Sequence, residues 1–502
     1  MLMKKTLPLL ILLFSCCYSV CSADPSLENN SNQVSITLLQ MNDVYEIDPV
    51  NGGKEGGLAR VATLRDQLLR RNPDTITVLA GDLFSPSALG TAPYKDGRLN
   101  GKQMVATMNV LGLDYITFGN HEFDLKKEPF YDRLKESEFT WISSNCFTEN
   151  GTAFPGVLED KILDIKGVKV GFFAVTLTKN QVDYVTYKDP FEIAQQKVAE
   201  LRPKVDILIA LTHLNKDDDI RLAEKFPAID LILGGHEHEN MQFWRGKGFT
   251  PVFKADANAR TVYIHDLSYN RSAGAGEAPA KKLTITSKLQ QITDALPDQP
   301  QTAEVVKKWR EIGYTGFSKD GFDPEQVVAT SDVDLDGLEA SVRNSSTKLT
   351  ELIADAMLTA ADKAQLSIYN GGAVRIDDVL PAGNITEYDI IRILPFGNHV
   401  FTVTMKGSLL EKTLNKGEES KGEGGFLQTG NVSGGKGKPW LIQGKVLDQD
   451  AQYTVAILDY LIKVGDDKLK FLVDNPEVPT VADNGDIRKA LIAELKKAFA
   501  AQ

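Results

Sequence analysis

The stretch Gly119-Asn120-His121-Glu122-Phe123-Asp124 is the most informative part of this amino-acid sequence. It directly follows the short apolar run Tyr115–Phe118, whose composition predicts a buried β-strand. Ligands of open α/β sheets bind beyond the carboxyl ends of the strands. An amide, a histidine and two carboxylates at one such end therefore predict a layered α/β fold that carries a site for metal or proton-transfer chemistry.

Four more polar motifs follow predicted strands in the same way. They are Asn42-Asp43 after Ile36–Met41, Gly81-Asp82 after Ile76–Ala80, His213 after Ile207–Thr212, and Gly234-Gly235-His236-Glu237-His238 after Leu231–Leu233. Mixed oxygen and imidazole ligands suit divalent ions such as Zn, Mn, Fe or Co, and the lack of thiolates argues against a structural zinc cage. Any one motif alone is better explained as a turn or a helix cap, whereas five in order at five strand ends favour one catalytic centre.

Length and charge narrow the class of protein further. The chain has 502 residues, enough for two or three domains at roughly 150 residues each. Its 56 Lys and Arg against 68 Asp and Glu give a net charge of −12, which argues against a broad electrostatic grip on nucleic acid. We therefore expect a small-molecule partner rather than a nucleic acid polymer, with any anionic group held locally.

The N-terminus has the layout of a secretory signal peptide. Lys4 and Lys5 precede the apolar run Leu7–Phe14, and small residues then end at Ala23. We predict a signal peptide over residues 1–23 and an exported protein, periplasmic or secreted; a buried N-terminal helix is the weaker alternative. The segment before Cys16 also resembles a lipoprotein box, so lipidation at Cys16, with the membrane as a partner, stays open.

The apolar pattern divides the remaining chain into two parts joined by a linker. Residues 24–292 alternate strand-like and amphipathic segments. Residues 293–322 are predicted to be a linker, in which the polar Asp294–Thr302 precedes a charged helix over Ala303–Ile312. Residues 323–502 are predicted to form a second α/β-type domain. Its expected elements are a helix over Lys348–Lys363 and strands at Leu366–Tyr369, His399–Met405 and Tyr453–Ile457.

Together, the motifs resemble a known family. The order Asp43, Gly81-Asp82, Gly119–Asp124, Thr212-His213 and Gly234–His238 is similar to the calcineurin-like metallophosphoesterase signature. The segments Asn370–Arg375, Pro395–Asn398, Gly425–Gln428 and Gly465-Asp466 resemble the C-terminal domain of the secreted bacterial 5′-nucleotidase and UDP-sugar hydrolase family. The resemblance implies an N-terminal metallophosphoesterase α/β/β/α sandwich, a linker helix and a C-terminal substrate-binding domain.

The resemblance also implies a centre of two divalent metal ions. Asp82 would bridge the two ions, and Asp43 and His238 would complete the first. The second ion would be completed by Asn120, His213 and His236. By the same resemblance, His121 stabilises the transition state without binding metal, and Asp124 orients its imidazole. A purely structural hydrogen-bonded pair is the alternative for these last two residues.

One position departs from the family pattern. The family usually has Asp-x-His in the first motif, whereas this chain has Asp43-Val44-Tyr45. Tyr45 either binds a hard, oxidised metal as a phenolate or packs, hydrogen-bonded, beside the site, and we favour the second role. The change predicts a weaker first metal site and an intact second one.

The second domain is predicted to hold the substrate. By resemblance, Arg343 and Arg375 contact phosphate, Phe396 and Tyr460 stack on the base, Asp466 binds the ribose hydroxyls, and Asn370 lies near the base. Stacking tolerates any base because every base has a π-face. Surface salt bridges are the alternative for the two arginines, and ordinary core packing is the alternative for the two aromatic residues.

The predicted function is an exported, metal-dependent phosphohydrolase that releases phosphate from nucleoside 5′-monophosphates. Cleavage of nucleotide sugars or of nucleoside di- and triphosphates stays open, as do the base preference, the native metals and the oligomeric state. By the same resemblance, a hinge near Asp294–Gly313 would carry the substrate to the metals. The alternatives are a cyclic-nucleotide phosphodiesterase of the same superfamily and a nucleotide-binding surface protein with a degenerate metal centre.

Overall fold

The computed structural model of this chain describes residues 33–271 and 282–500. The predicted signal peptide, its cleavage after Ala23 and the lipidation at Cys16 lie outside the described residues. Within them, no helix has both the length and the apolar character that a membrane span requires.

The N-terminal part is built on two β-sheets. The first has seven strands, which run across the sheet in the order Val157–Leu158, Thr140–Ile142, Tyr115–Ile116, Thr75–Leu79, Gln33–Met41, Thr261–Asn270 and Leu283–Gln291. The second has six, in the order Asp160–Ile165, Val168–Thr176, Ile207–His213, Leu231–Gly234, Thr250–Lys254 and Met241–Arg245. All five strands predicted in this part are therefore present.

The central strands of the two sheets read as continuous apolar runs because both of their faces are buried. In the strand Gln33–Met41, Ile36 and Leu38 enter the core between the two sheets. Leu39 and Met41, which point the opposite way, enter the core beneath the helices.

Helices cover the outer face of each sheet. Leu58–Arg71, Lys102–Leu111 and Lys127–Glu136 pack beside the first sheet, and Pro190–Leu201 and Lys216–Lys225 beside the second. The resulting layers, helix, sheet, sheet and helix, confirm the predicted α/β/β/α sandwich.

The C-terminal part has one central sheet with helices on both sides. Its five strands follow the order Leu427–Gly430, Leu366–Asn370, Gln452–Leu458, His399–Lys406 and Thr480–Asp486. One face packs against helices Lys348–Ala360, Glu387–Ile393 and Ile487–Ala498, and the other against Gly407–Glu419 and Asp459–Lys463. A short helix, Glu339–Val342, and a three-stranded sheet, Val432–Gly435, Lys438–Ile442 and Lys445–Val446, complete this part. The predicted second α/β-type domain is thus confirmed.

Among the residues that the structure describes, five pairs of short strands lie outside these sheets. They are Pro49–Val50 with Glu55–Gly56, Pro93–Tyr94 with Gly97–Arg98, Cys146–Thr148 with Val185–Tyr187, Val327–Ser331 with Gly383–Thr386, and Leu335–Asp336 with Val379–Leu380.

A long helix, Pro300–Lys319, connects the two parts. It starts earlier than predicted because Pro300 suits the first helical turn and the Gln299 side chain accepts a hydrogen bond from the Thr302 N–H at 2.7 Å. The helix packs on the N-terminal part, where Trp309 and Phe317 join the core. The predicted hinge overlaps this packed helix and stays a prediction, as do the domain limits 24–292, 293–322 and 323–502.

Candidate metal centre and active site

Three buried side chains form the centre of the site. Potential ligand atoms of Asp43, Asp82 and His213 all lie within 4.8 Å of one another. The Nε2 atom of His213 is 3.2 Å from Asp82 Oδ2 and 3.9 Å from Asp43 Oδ1. Asp43 and Asp82 follow adjacent parallel strands of the first sheet, and His213 ends a strand of the second. The site therefore lies where the carboxyl ends of both sheets meet.

The other three predicted ligands border this centre. His238 Nε2 lies 3.5 Å from Asp43 Oδ1. The His236 backbone N–H donates to Asp43 Oδ2 at 2.8 Å, and its ring centroid is 5.3 Å from that of His213. The Asn120 Oδ1 atom is buried without a hydrogen-bond partner. The backbone N–H of the following residue, His121, donates to Asp82 Oδ1 at 2.8 Å. The structure thus brings all six together, and their role as ligands stays a prediction.

Four of these residues have a strained backbone. Asp43, Asp82, His236 and His238 have φ angles of 53°, 59°, 93° and 59°, in the left-handed region that residues other than glycine seldom adopt. Such conformations persist only where the surrounding structure imposes them, and they concentrate at functional sites. The packing around Asp82 is also tight, because a Cβ atom on Gly119 would lie 2.0 Å from Asp82 Oδ1.

The Glu122 carboxylate holds the loop that carries Asp82. Its two oxygens accept hydrogen bonds from the backbone N–H groups of Asp82, Leu83, Phe84 and Gly119, at 3.0, 2.5, 3.1 and 2.5 Å. Burial and the nearby Asp82 charge raise the pKa of Glu122 to about 7, while the backbone donors favour the ionised form. One fully buried carboxylate therefore joins the two loops on which Asp82 and Asn120 sit.

Hydrogen bonding also selects the nitrogen that His213 presents to the centre. Its Nδ1 lies 2.7 Å from the Ala80 carbonyl oxygen and donates to it, so Nε2 is the nitrogen that faces the cluster. Burial disfavours a charged imidazole, but Asp82 and Asp43 outweigh it and raise the pKa of His213 to about 9. The cluster consequently attracts positive charge.

These donors fit divalent metal ions. One of them, Asn120 Oδ1, is buried without a hydrogen-bond partner, which is costly for a polar atom that has no ligand, and His213 Nε2 faces the two carboxylates. Carboxylate, amide and imidazole donors suit Zn, Mn, Fe or Co, but they do not distinguish among them. Bound there, two such ions would supply Lewis acidity toward a phosphoryl group and an activated water near neutral pH.

Tyr45 points into the centre. Its hydroxyl lies 3.0 Å from Asp82 Oδ2, 3.0 Å from His238 Nε2 and 3.2 Å from Asp43 Oδ1. Burial and the charges of Asp82 and Asp43 raise the pKa of Tyr45 well above its usual value. The Tyr45 hydroxyl is thus hydrogen-bonded among the predicted ligands, and the choice between a packed phenol and a metal-bound phenolate stays a prediction.

His121 and Asp124 form a pair beside the cluster. His121 Nδ1 lies 2.7 Å from Asp124 Oδ2, and Asp124 also accepts from the Ser85 hydroxyl at 3.0 Å and from the Asn180 amide at 2.7 Å. Asp124 therefore holds the imidazole with Nδ1 protonated and leaves Nε2 facing Arg375, whose Nη2 is 3.3 Å away. Nε2 therefore accepts from the Arg375 guanidinium in this structure, and its role in proton transfer stays a prediction.

Two arginines from the C-terminal part lie at the same place. A shared carboxylate links them: Glu339 is 2.5 Å from Arg343 Nη1 and 3.8 Å from Arg375 Nη1. The Nε atoms of both arginines are buried and have no hydrogen-bond partner. A planar guanidinium with an N–H donor that has no acceptor is suited to bind a phosphate group.

The residues predicted to hold the nucleoside lie elsewhere in the C-terminal part. Asn370 Oδ1 is buried without a partner, and a Cβ atom on Gly425 would lie 2.3 Å from Asp466 Oδ1, so Asp466 adjoins that glycine loop. Phe396 is 46% exposed, as a platform for a base must be. The segments that carry Phe396 and Tyr460 are tied together, since the Asn398 amide donates to Asp459 at 2.9 Å. Their role toward a nucleoside stays a prediction.

The structure adds partners that the sequence analysis did not single out. They are Ser85 and Asn180, which hold Asp124; Glu122, which holds the Asp82 loop; Glu339, which links the arginines; and Asp377, which contacts His238. Glu122 stands within the quoted motif and Asp377 two residues after Arg375, so proximity to a motif was the one available signal for these two. Nothing in the local sequence marks the others.

Comparison with known proteins agrees with this geometry. A family model described as calcineurin-like phosphoesterase matches residues 36–240, and one described as 5′-nucleotidase, C-terminal domain, matches residues 327–474. The 5′-nucleotidase of Vibrio cholerae is 26% identical over 91% of this chain and 90% of its own length. The trifunctional nucleotide phosphoesterase YfkN of Bacillus subtilis is 27% identical over 74% of this chain, which spans only 27% of that longer protein.

Among solved structures, the 5′-nucleotidase precursor of Thermus thermophilus superposes with a TM-score of 0.78 at 24% identity, over 93% of this chain and 97% of its own. That likeness extends through both parts of the fold. The chain therefore belongs to the family of phosphoester hydrolases that join a calcineurin-like phosphoesterase domain to a 5′-nucleotidase C-terminal domain.

Proposed function

We propose that this protein is an exported, metal-dependent phosphohydrolase that releases phosphate from nucleoside 5′-monophosphates. The carboxylate and histidine cluster would hold two divalent ions, with Asp82 between them. His121, kept in one tautomer by Asp124, would exchange or donate a proton at the phosphoryl group. Export rests on the charged, apolar and small-residue order of the N-terminus.

One observation carries the proposal: Arg375 Nη2 lies 3.3 Å from His121 Nε2. This contact sets a cation of the C-terminal part directly beside the cluster of the N-terminal part. His121 in turn adjoins the cluster, because its backbone N–H donates to Asp82 Oδ1 at 2.8 Å. An anionic group that binds between them would meet Arg375 on one side and the cluster on the other, which is the arrangement that phosphoryl transfer needs.

The nucleoside assignment rests on the C-terminal part. Phe396 offers an exposed aromatic face, and the tie between Asn398 and Asp459 keeps its loop beside the helix that carries Tyr460. Stacking on aromatic side chains contributes roughly 1–3 kcal/mol per base. Nucleotide sugars and nucleoside di- and triphosphates would use the same platform and are candidate additional substrates.

A substrate panel tests the proposal. The chain without its predicted signal peptide is assayed with AMP, UMP, ATP, UDP-glucose and cyclic AMP, with several added divalent metals. We expect phosphate release from AMP and UMP, loss of activity on chelation, and no activity in Asp82→Ala. Activity on cyclic AMP alone would establish the phosphodiesterase alternative. Nucleotide binding without turnover under any metal would establish the surface-protein alternative.

Two substitutions test the substrate contacts separately. Arg375→Ala should raise KM for every phosphorylated substrate, whereas the exposed Arg221→Ala, a matched control, should leave KM unchanged. Tyr460→Ala should raise KM for nucleotides but not for 4-nitrophenyl phosphate, which has no base to stack. If Tyr460→Ala weakened all substrates equally, Tyr460 would be a packing residue and the nucleoside assignment would fail.

A further inference from the structure

His238 is held by two parts of the chain that are far apart in sequence. Its Nε2 faces the cluster, 3.5 Å from Asp43 Oδ1 and 3.0 Å from the Tyr45 hydroxyl. Its Nδ1 lies 2.9 Å from Asp377 Oδ2, a carboxylate of the C-terminal part. A predicted metal ligand of one part is thus oriented by a residue of the other.

Asp377 is itself fixed in place. Its second oxygen, Oδ1, accepts a hydrogen bond from the Glu339 backbone N–H at 2.8 Å, and Arg260 Nη2 lies 3.9 Å from Oδ2. The side chain is only 10% exposed, and its backbone has a φ of 42° in the left-handed region. A carboxylate anchored in this way can impose an orientation on the imidazole rather than follow it.

We infer that Asp377 is a positioning residue that makes metal retention depend on the docking of the C-terminal part. A carboxylate on Nδ1–H fixes the His238 tautomer, turns the Nε2 lone pair toward Asp43 and raises the basicity of the ring. If the C-terminal part moved away, His238 would lose this partner and the centre would lose a well-oriented ligand. The inference rests on the proposed metal centre and adds to it a coupling between the two parts.

The neighbouring carboxylate provides a matched control. Asp378 also lies at the contact between the two parts, where it accepts from the Asn51 backbone N–H at 2.8 Å and lies 3.1 Å from Arg392 Nη2. No hydrogen bond of Asp378 to His238 is present among the described residues. Asp378→Asn therefore weakens docking contacts of the same chemical kind without touching the imidazole.

The Asp377→Asn variant is the informative change. An amide has almost the shape of the carboxylate, but it can present its NH₂ group to Nδ1 and stabilise the tautomer whose hydrogen is on Nε2. That tautomer has no lone pair to offer the cluster. Second-sphere changes of this type typically lower metal affinity about 10–100-fold.

Metal affinity is the readout, independent of turnover. Wild type, Asp377→Asn, Asp378→Asn, His238→Ala and the double variant Asp377→Asn with His238→Ala are titrated with Zn²⁺ and with Mn²⁺ against a chromophoric chelator. We expect Asp377→Asn to weaken one of two equivalents about 10–100-fold and to leave the other unchanged. Asp378→Asn should stay within about threefold of wild type, and the double variant should equal His238→Ala, because Asp377 acts through that histidine.

Two results would overturn the inference while the proposed function stands. In the first, wild type hydrolyses AMP and Asp377→Asn binds both metal equivalents as tightly as wild type does. In the second, Asp378→Asn weakens metal binding as much as Asp377→Asn does, because the loss would then come from weaker docking in general. Wild-type protein that binds no divalent metal would overturn both the inference and the proposed function.

Discussion

Replacing Glu122 with glutamine should unfold the N-terminal part at markedly lower denaturant concentration. Both carboxylate oxygens accept backbone hydrogen bonds, from Asp82 and Gly119 to one oxygen and from Leu83 and Phe84 to the other. Glutamine keeps one acceptor oxygen and sets an NH₂ group against the other two N–H donors. Two buried N–H groups left unpaired cost about 1–3 kcal/mol each, so we expect a loss of about 2–6 kcal/mol.

The same substitution should also weaken the metal centre, because each pair of donors that the amide could displace includes a backbone N–H of the loop that carries Asp82. Urea unfolding followed by circular dichroism measures the stability, and metal analysis after dialysis measures retention. Glu128→Gln, which makes the same chemical change at an exposed position of the helix Lys127–Glu136, is the control and should alter neither quantity. If Glu122→Gln unfolded within about 0.5 kcal/mol of wild type, these four hydrogen bonds would not be holding the loop.

Three further predictions concern other residues of the site and its surroundings. His121→Ala should lower kcat by roughly 10²–10⁴ with unchanged metal content, and loss of metal in this variant would make it a ligand instead. Dialysed wild type should retain less of the first metal than of the second, and Tyr45→His should improve that retention without altering substrate preference. Two full equivalents in dialysed wild type, with a phenolate charge-transfer band that Tyr45→Phe removes, would contradict this. Burial raises the pKa of Glu46 from 4.5 to about 7. The folded protein therefore binds this proton more tightly than the unfolded chain does, and its stability should fall by at most about 3 kcal/mol as the pH rises through that range. Glu46→Gln should lack this component of the pH dependence. If the difference in unfolding midpoint between wild type and Glu46→Gln were the same at about pH 5 and at about pH 8, the prediction would be refuted.

The layered fold could be predicted from the amino-acid sequence alone, and so could the grouping of the polar residues at the centre. Apolar runs such as Ile36–Met41 are strands in the structure because a strand covered on both faces has no polar side and therefore leaves an unmistakable local pattern. Asp43, Asp82 and His213 follow such strands directly. The convergence of Asp43 and Asp82 could be predicted because the ends of adjacent parallel strands meet at one edge of a sheet, whereas His213 reaches them from the second sheet.

Contacts between the two parts were decided by the tertiary structure alone. His238 meets Asp377, and His121 meets Arg375, across 139 and 254 residues of chain. Local spacing carries no information about pairs of this kind, because their geometry depends on how one folded unit docks against another. The same holds for Tyr45, whose hydroxyl lies within 3.2 Å of Asp43, Asp82 and His238, the last of them 193 residues away in the chain.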